Sequence, residues 1–145
     1  MAAPSRSGSV YVVGFDGSES SRRALQWACD HAGDSGRVVA VHGYQPPPEW
    51  QGTPYWGQSV AHHQAFGREL LAEIETAGPP VVEADLLEGP PASAIMKAAH
   101  AHRADEIVIG SRGHGRVAAA VGGVASALLQ LADRPVVVIP PAPVA

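Results

Sequence analysis

Apolar runs alternate along the chain with stretches of helical periodicity. Five runs rich in valine, isoleucine and leucine cover residues 9–15, 37–44, 81–87, 105–109 and 136–139. A run that is apolar at nearly every position predicts a strand buried on both faces, as in a parallel sheet. The third run carries Glu83 and Asp85, so we expect it near an edge of the sheet. Because strands and helices alternate, the pattern predicts an α/β fold with right-handed crossovers and helices on both faces.

Four amphipathic stretches predict the helices that connect these strands. They cover residues 20–31, 59–77, 92–102 and 124–132. Helical spacing places Ala28 and His31 on the inner face of the first helix, and Phe66 and Leu71 on the inner face of the second. These faces are predicted to pack on the sheet.

The segment between the second strand and the second helix, residues 45–57, contains four prolines and two glycines. Proline and glycine at this density exclude regular structure, and loops of this length are often functional. Trp50, Tyr55 and Trp56 are predicted either to form a cover packed on the domain itself or to mark a contact surface. The cover is the favoured interpretation.

A glycine-rich segment follows the fourth strand. It begins Gly110-Ser111-Arg112-Gly113, and a further pair, Gly122 and Gly123, interrupts the alanine-rich run behind it. Glycine lets bare N–H groups approach an anion, and a helix N-terminus adds partial positive charge. Since glycine inside a helix costs about 1 kcal/mol relative to alanine, we expect the last helix to begin near Gly123. The segment predicts an anion cradle, and a nucleotide is the anion we expect; the alternative is a flexible loop before a tightly packed helix.

The ends of two strands place a candidate site. Ligands of open parallel sheets bind beyond the carboxyl ends of the strands, where the strand order reverses. The first strand ends in Gly14-Phe15-Asp16 and the fourth in Gly110-Ser111. If these strands are neighbours, Asp16 and the glycine-rich segment face one crevice.

Composition narrows the class of protein. The chain has 145 residues, 46% of them hydrophobic, which fits one domain with its own core. The net charge of -4 argues against bulk binding to nucleic acid or to a membrane surface. Residues 1–8 lack the apolar core of a signal peptide and are predicted to be a disordered leader, which makes the cytoplasm the expected location. The single Cys29 excludes an internal disulfide.

Taken in order, these motifs resemble the universal stress protein family. Its nucleotide-binding members carry Gly-x-x-Gly, nine residues, and then Gly followed by Ser or Thr. Here Gly110-Ser111-Arg112-Gly113 is followed by nine residues and Gly123. Val13-Gly14-Phe15-Asp16 resembles the family's first strand, and Gly89-Pro90-Pro91-Ala92 its turn into the third helix. The resemblance covers residues 10–139, and the whole set at this spacing is specific.

The resemblance implies a sheet in the order 3-2-1-4-5, of the adenine-nucleotide alpha hydrolase-like type, over residues 9–140, with residues 141–145 as a tail. It implies a homodimer joined through the last strand and ATP bound in the crevice. The adenosine side would be lined by Gly14, Phe15 and Asp16, and the base would be flanked by the stretch from Val41 to Gly43. The ribose and phosphates would be held by Gly110, Ser111, Arg112, Gly113, Gly123, Val124, Ala125 and Ser126.

One position departs from the family pattern. The residue after Gly123 should be Ser or Thr and is Val124, which offers a backbone N–H but no hydroxyl. A lost hydrogen bond of this kind costs about 1 kcal/mol, or about 1.5–3 kcal/mol if the acceptor is charged. We therefore expect ATP binding that is weakened but retained.

Asp16 is open to more than one interpretation. A carboxylate at the end of a strand can contact ribose or hold Mg²⁺ near the phosphates. It can also serve only to cap the following helix. The residues alone do not separate these roles.

Other chemistries find little support. The chain has neither the Gly-x-Ser-x-Gly turn of serine hydrolases nor the Walker pattern with its lysine, so little ATP hydrolysis is expected. The leading prediction is a protein that binds ATP as a ligand in stress response or regulation. The alternatives are a homodimeric interaction module of the same fold that binds no nucleotide, and a slow ATPase or adenylyl transferase.

Overall fold

The strands form one parallel sheet in the order β3-β2-β1-β4-β5. The computed structural model describes residues 8–74, 79–111 and 123–143. The strands are β1 (Val10–Gly14), β2 (Arg37–Tyr44), β3 (Val81–Glu88), β4 (Glu106–Gly110) and β5 (Val136–Ile139). The helices are α1 (Glu19–Ala32), α2 (Trp56–Ala72), α3 (Pro91–Ala101) and α4 (Gly123–Leu131). The predicted fold class and strand order are confirmed.

Apolar cores cover both faces of the sheet. Val12, Val39 and Ile107 point to one face and are fully buried beneath α3 and α4. Val13 and Val108 point to the other face and are fully buried against α1. Neighbouring positions of one strand are thus buried on opposite sides, which is why the central strands are apolar without alternation. β1 and β4 are paired, as the predicted crevice requires.

β3 lies at an edge of the sheet, as its acidic residues predict. Arg37 forms an ion pair with Glu83, and Nε2 of His102 lies 2.8 Å from Oδ2 of Asp85. These contacts join the start of β2 and the end of α3 to the edge strand. Glu83 and Asp85 are therefore paired on a half-exposed face.

The beginning and end of α1 follow from local chemistry. The hydroxyl of Ser18 accepts a hydrogen bond from the N–H of Ser21 at 3.1 Å and so caps the helix. Gly33 ends it with a φ of 65°, a conformation that favours glycine. The prediction that His31 faces inward is wrong. Its ring is exposed and stacks on Trp27, with ring centroids 3.7 Å apart.

α2 packs on the sheet through a different stripe from the one predicted. Its buried residues are Ser59, Gly67 and Leu71, spaced by eight and four positions along one face. A β-carbon on Gly67 would lie 2.4 Å from a methyl group of Leu86, so the helix backbone sits directly against β3. The prediction for Leu71 is confirmed, whereas Phe66 is 56% exposed and the prediction that it faces inward is wrong.

Candidate functional site

A cleft opens at the carboxyl ends of β1, β2 and β4. Seven of the predicted site residues line it: Gly14, Phe15, Asp16, Val41, Gly43, Gly110 and Val124. They come from three strands and from the first turn of α4. Because β1 lies between β2 and β4, residues far apart in the chain converge on this one place.

Four other predicted site residues that the structure describes are not among those that line the cleft: Ser111, Gly123, Ala125 and Ser126. Gly123 and Ala125 belong to α4, where Gly123 is exposed and Ala125 is buried in the core. Ser126 is exposed, and the N–H of Ser111 donates to the carbonyl oxygen of Ile139 at 2.9 Å. Arg112 and Gly113 lie outside the described residues. Their roles in binding remain predictions.

The turn after β1 holds Asp16 in place through backbone contacts. Its Oδ1 accepts a hydrogen bond from the N–H of Ser18 at 2.9 Å, and Ser18 in turn caps α1. The hydroxyl of Ser21 donates to the carbonyl oxygen of Ser18 at 3.0 Å. The carboxylate of Asp16 therefore supports the start of the helix and lines the cleft at the same time.

Both backbone polar groups of Phe15 have hydrogen-bond partners. Its N–H donates to the carbonyl oxygen of Val41 at 2.9 Å, and its own carbonyl oxygen lies 3.0 Å from Nδ1 of His42. Since a carbonyl can only accept, Nδ1 of His42 carries the proton in this contact. The imidazole lies near Gly67 of α2. His42 thus fixes the end of the strand that presents Asp16.

The glycines of the cleft serve close packing. A β-carbon on Gly110 would lie 2.2 Å from Oγ of Ser20, and one on Gly14 would lie 2.7 Å from Cδ1 of Ile95. Neither residue has a positive φ. At both positions the small size of glycine lets a helix approach the strand end.

Sequence reasoning missed the apolar wall that α3 contributes. Pro91 and Ile95 of its first turns line the cleft, together with Ile109 of β4. Gly89-Pro90-Pro91-Ala92 signals the start of a helix, but nothing in that motif says that the helix overhangs β1. Ser18 and Ser21 were also missed as lining residues.

The described residues contain no cluster of three or more His, Cys, Asp or Glu side chains that could hold a metal ion. Mg²⁺ is commonly held by one or two carboxylates together with the phosphates of a nucleotide. Asp16 is the one carboxylate among the described residues that line the cleft, so it fits that role only alongside a ligand. No helix in the described part of the chain is long and apolar enough to cross a membrane.

Solved structures of universal stress proteins share this fold. Protein UspA from Lactobacillus plantarum superposes with a TM-score of 0.72 at 22% identity, over 90% of this chain and 97% of that one. A universal stress protein in complex with cAMP gives a TM-score of 0.60 at 24% identity, over 93% and 98% of the two chains. A family protein from Arabidopsis thaliana with AMP bound gives 0.56 at 20% identity, over 92% of each.

Sequence comparison identifies the family. A curated relative from Thermus aquaticus, described as the universal stress protein in QAH/OAS sulfhydrylase 3'region, is 34% identical over 135 residues, which is 92% of this chain and 93% of that protein. The sequence model of the Universal stress protein family matches residues 11–140. The chain belongs to the universal stress protein family.

Proposed function

We propose that the chain binds ATP as a ligand in the cleft and acts in stress response or regulation through that binding, with little or no hydrolysis. The observation that carries the proposal is the meeting of Asp16, Gly110 and the first turn of α4 around one cleft. Fold relatives with bound AMP and cAMP support an adenine nucleotide as the class of ligand.

The walls of the cleft suit the parts of a nucleotide. Val41, Ile95 and Ile109 form an apolar side that can enclose a flat base. Asp16 lies where a carboxylate can accept hydrogen bonds from ribose hydroxyls. Val124, in the first turn of α4, lies at the positive end of the helix dipole, which favours phosphate. Gly113 and Arg112 are proposed to complete the phosphate side.

Titration calorimetry with ATP tests this function. We expect a saturable heat of binding without release of phosphate over the course of the titration. If neither ATP nor ADP binds at millimolar concentration, the proposal is wrong and the alternative, an interaction module that binds no nucleotide, takes its place.

Two variants distinguish the possible roles of Asp16, which are contact with ribose, binding of Mg²⁺ and support of the helix start. Asp16→Ala removes a hydrogen-bond acceptor worth about 1 kcal/mol, so ATP binding in EDTA should weaken about fivefold. Asp16→Asn keeps an oxygen that can accept from the N–H of Ser18 and from ribose, so its affinity in EDTA should stay close to that of the wild type. If Asp16 also holds Mg²⁺, Asp16→Asn should lose any gain in affinity that Mg²⁺ gives the wild type. If both variants bind ATP with the affinity of the wild type, with and without Mg²⁺, Asp16 acts only on the start of α1.

We also propose a homodimer joined through β5. This strand pairs with β4 along one edge, and in the described part of the chain no strand pairs with its other edge. Val136, Val137 and Val138 are partly exposed there, which suits pairing with a second copy. Analytical ultracentrifugation should detect the dimer, and a monomer at every concentration would contradict it. The cytoplasmic location expected from the sequence remains a prediction.

A further inference from the structure

A second cavity of about 630 Å³ lies apart from the cleft, between the loop after β2 and the first turns of α2. Pro47, Trp50 and Tyr55 line it on the loop side, and Gln58 and His62 on the helix side. The two cavities share no lining residue. ATP binding in the cleft therefore leaves this cavity without an assigned role.

The loop that forms the cavity is held by consecutive turns. A single 3₁₀ turn covers Pro48–Trp50. The hydroxyl of Thr53 donates to the carbonyl oxygen of Trp50 at 2.6 Å, and the N–H of Trp56 donates to the carbonyl oxygen of Thr53 at 3.2 Å. The aromatic side chains are thus presented from a bonded backbone, which lowers the entropy cost of binding.

These aromatic rings face solvent and do not pack down as a cover. Trp50 is 46% exposed and Tyr55 is 64% exposed, so the favoured sequence interpretation does not describe them. Among the described residues, those that line the cavity include no Lys, Arg, Asp or Glu. Gln58, Trp50, Tyr55 and His62 bring hydrogen-bond donors to its walls. The cavity therefore suits an uncharged ligand with flat apolar groups and hydrogen-bond acceptors.

A proline-rich segment in the polyproline II conformation has these properties. Its rings pack on aromatic faces, and its carbonyl groups make no internal hydrogen bonds and so remain available as acceptors. Trp, Tyr, Gln and His side chains can all donate to such carbonyls. This recognition needs no charge on either partner.

The chain carries a proline-rich segment itself. Pro140-Pro141-Ala142-Pro143 follows β5, and its three prolines are exposed. Pro140 and Pro143 are three residues apart, so they share one side of a polyproline II helix. The carbonyl oxygen of Pro140 accepts a hydrogen bond from Nε of Arg23 at 3.2 Å, which holds the tail beside α1. β5 is at the opposite edge of the sheet from β3, and β1 and β4 lie between it and β2, so this tail begins on the other side of the sheet from the chain's own aromatic cavity.

We propose that the cavity lined by Trp50 and Tyr55 binds the proline tail of a second copy of this chain. The contact is weak, and the cavity that receives the tail lies on the opposite side of the domain from β5. Copies joined in this way associate head to tail, so association grows with concentration.

Peptide titration tests the site. A peptide of residues 140–145 is added to the ¹⁵N-labelled full chain while the indole N–H signals are followed, with Trp50 assigned by Trp50→Phe. We expect a saturable shift of the Trp50 signal, and no shift with the matched peptide in which Pro140 and Pro143 are alanine. Trp50→Ala and Tyr55→Ala, both at exposed positions, should each weaken binding about tenfold or more. No shift of Trp50 with the proline peptide overturns the proposal.

Sedimentation of the full chain tests the source of the segment. Association beyond the β5 dimer, which increases with concentration, should be lost in the double variant Pro140→Ala and Pro143→Ala, and equally in Trp50→Ala, while the β5 dimer itself remains. If the peptide binds but the wild type and the double variant sediment alike, the occupant is a proline-rich partner protein. The proposal that a second copy supplies the segment is then overturned. Since neither measurement contains nucleotide, failure here is distinct from failure of ATP binding.

Discussion

Replacing Gly110 by alanine is expected to lower the free energy of unfolding by about 1–3 kcal/mol. The added β-carbon would lie 2.2 Å from Oγ of Ser20 and 2.7 Å from the carbonyl carbon of the same residue. The second contact is with backbone, so a rotation of the serine side chain cannot remove it. Either α1 or the end of β4 has to move, and both carry residues of the cleft. Urea denaturation measures the loss as a lower midpoint.

Two further variants make this prediction specific. Gly57→Ala is the matched control, because a β-carbon there meets nothing within 4 Å and the residue lies in α2; it should be neutral or slightly stabilising. Ser20→Ala removes a buried hydroxyl that has no partner among the described residues, so alone it should cost little. Combined with Gly110→Ala, it should restore part of the lost stability. An unchanged midpoint for Gly110→Ala would show that α1 does not pack against this strand end.

The parallel sheet could be predicted from the chain because its central strands are apolar at successive positions. Val12 and Val13 illustrate this, since each is fully buried on its own face. The alternation of elements gives a parallel sheet but not the order of its strands. That order came from the family resemblance, and with it the convergence of Asp16 and Gly110 on one cleft.

The position of α2 could not be predicted because the pattern rule counts only apolar side chains. Gly67 has none, yet its backbone lies so near β3 that an added β-carbon would be 2.4 Å from a methyl group of Leu86. With a glycine at the contact, the helix turns its Ser59 and Leu71 side to the sheet and leaves Phe66 exposed. A helix face defined by a missing side chain leaves no signal in hydrophobic periodicity.

Only part of the cleft could be predicted, and the reason is related. Residues at strand ends, such as Gly14 and Asp16, are placed by sheet topology and could be named from the sequence. Ile95 lies on a helix that follows β3, and it reaches the cleft only because that helix crosses above β1 and β2. Contacts that depend on where a helix crosses the sheet are set by packing in three dimensions.

Val124→Thr is expected to strengthen ATP binding about tenfold. Val124 lies in the first turn of α4 and lines the cleft, where family members that bind nucleotide carry Ser or Thr. Threonine keeps the branched shape and replaces one methyl group with a hydroxyl that can donate to phosphate. A hydrogen bond to a charged group contributes about 1.5–3 kcal/mol, and part of that gain is offset by burying the hydroxyl in a half-apolar position. Titration calorimetry with ATP measures the change in Kd.

The choice of ligand and of control variant shows whether the gain comes from phosphate. Adenosine has no phosphate, so it should bind the wild type and Val124→Thr with the same affinity. ATP should bind Val124→Thr more tightly than the wild type. Val124→Ala shortens the side chain without adding a donor and should not improve ATP binding, which excludes simple relief of crowding as the cause. If Val124→Thr binds ATP no better than the wild type, the phosphates do not reach the first turn of α4. The nucleotide would then be held by the strand ends alone, with its phosphates directed away from the helix.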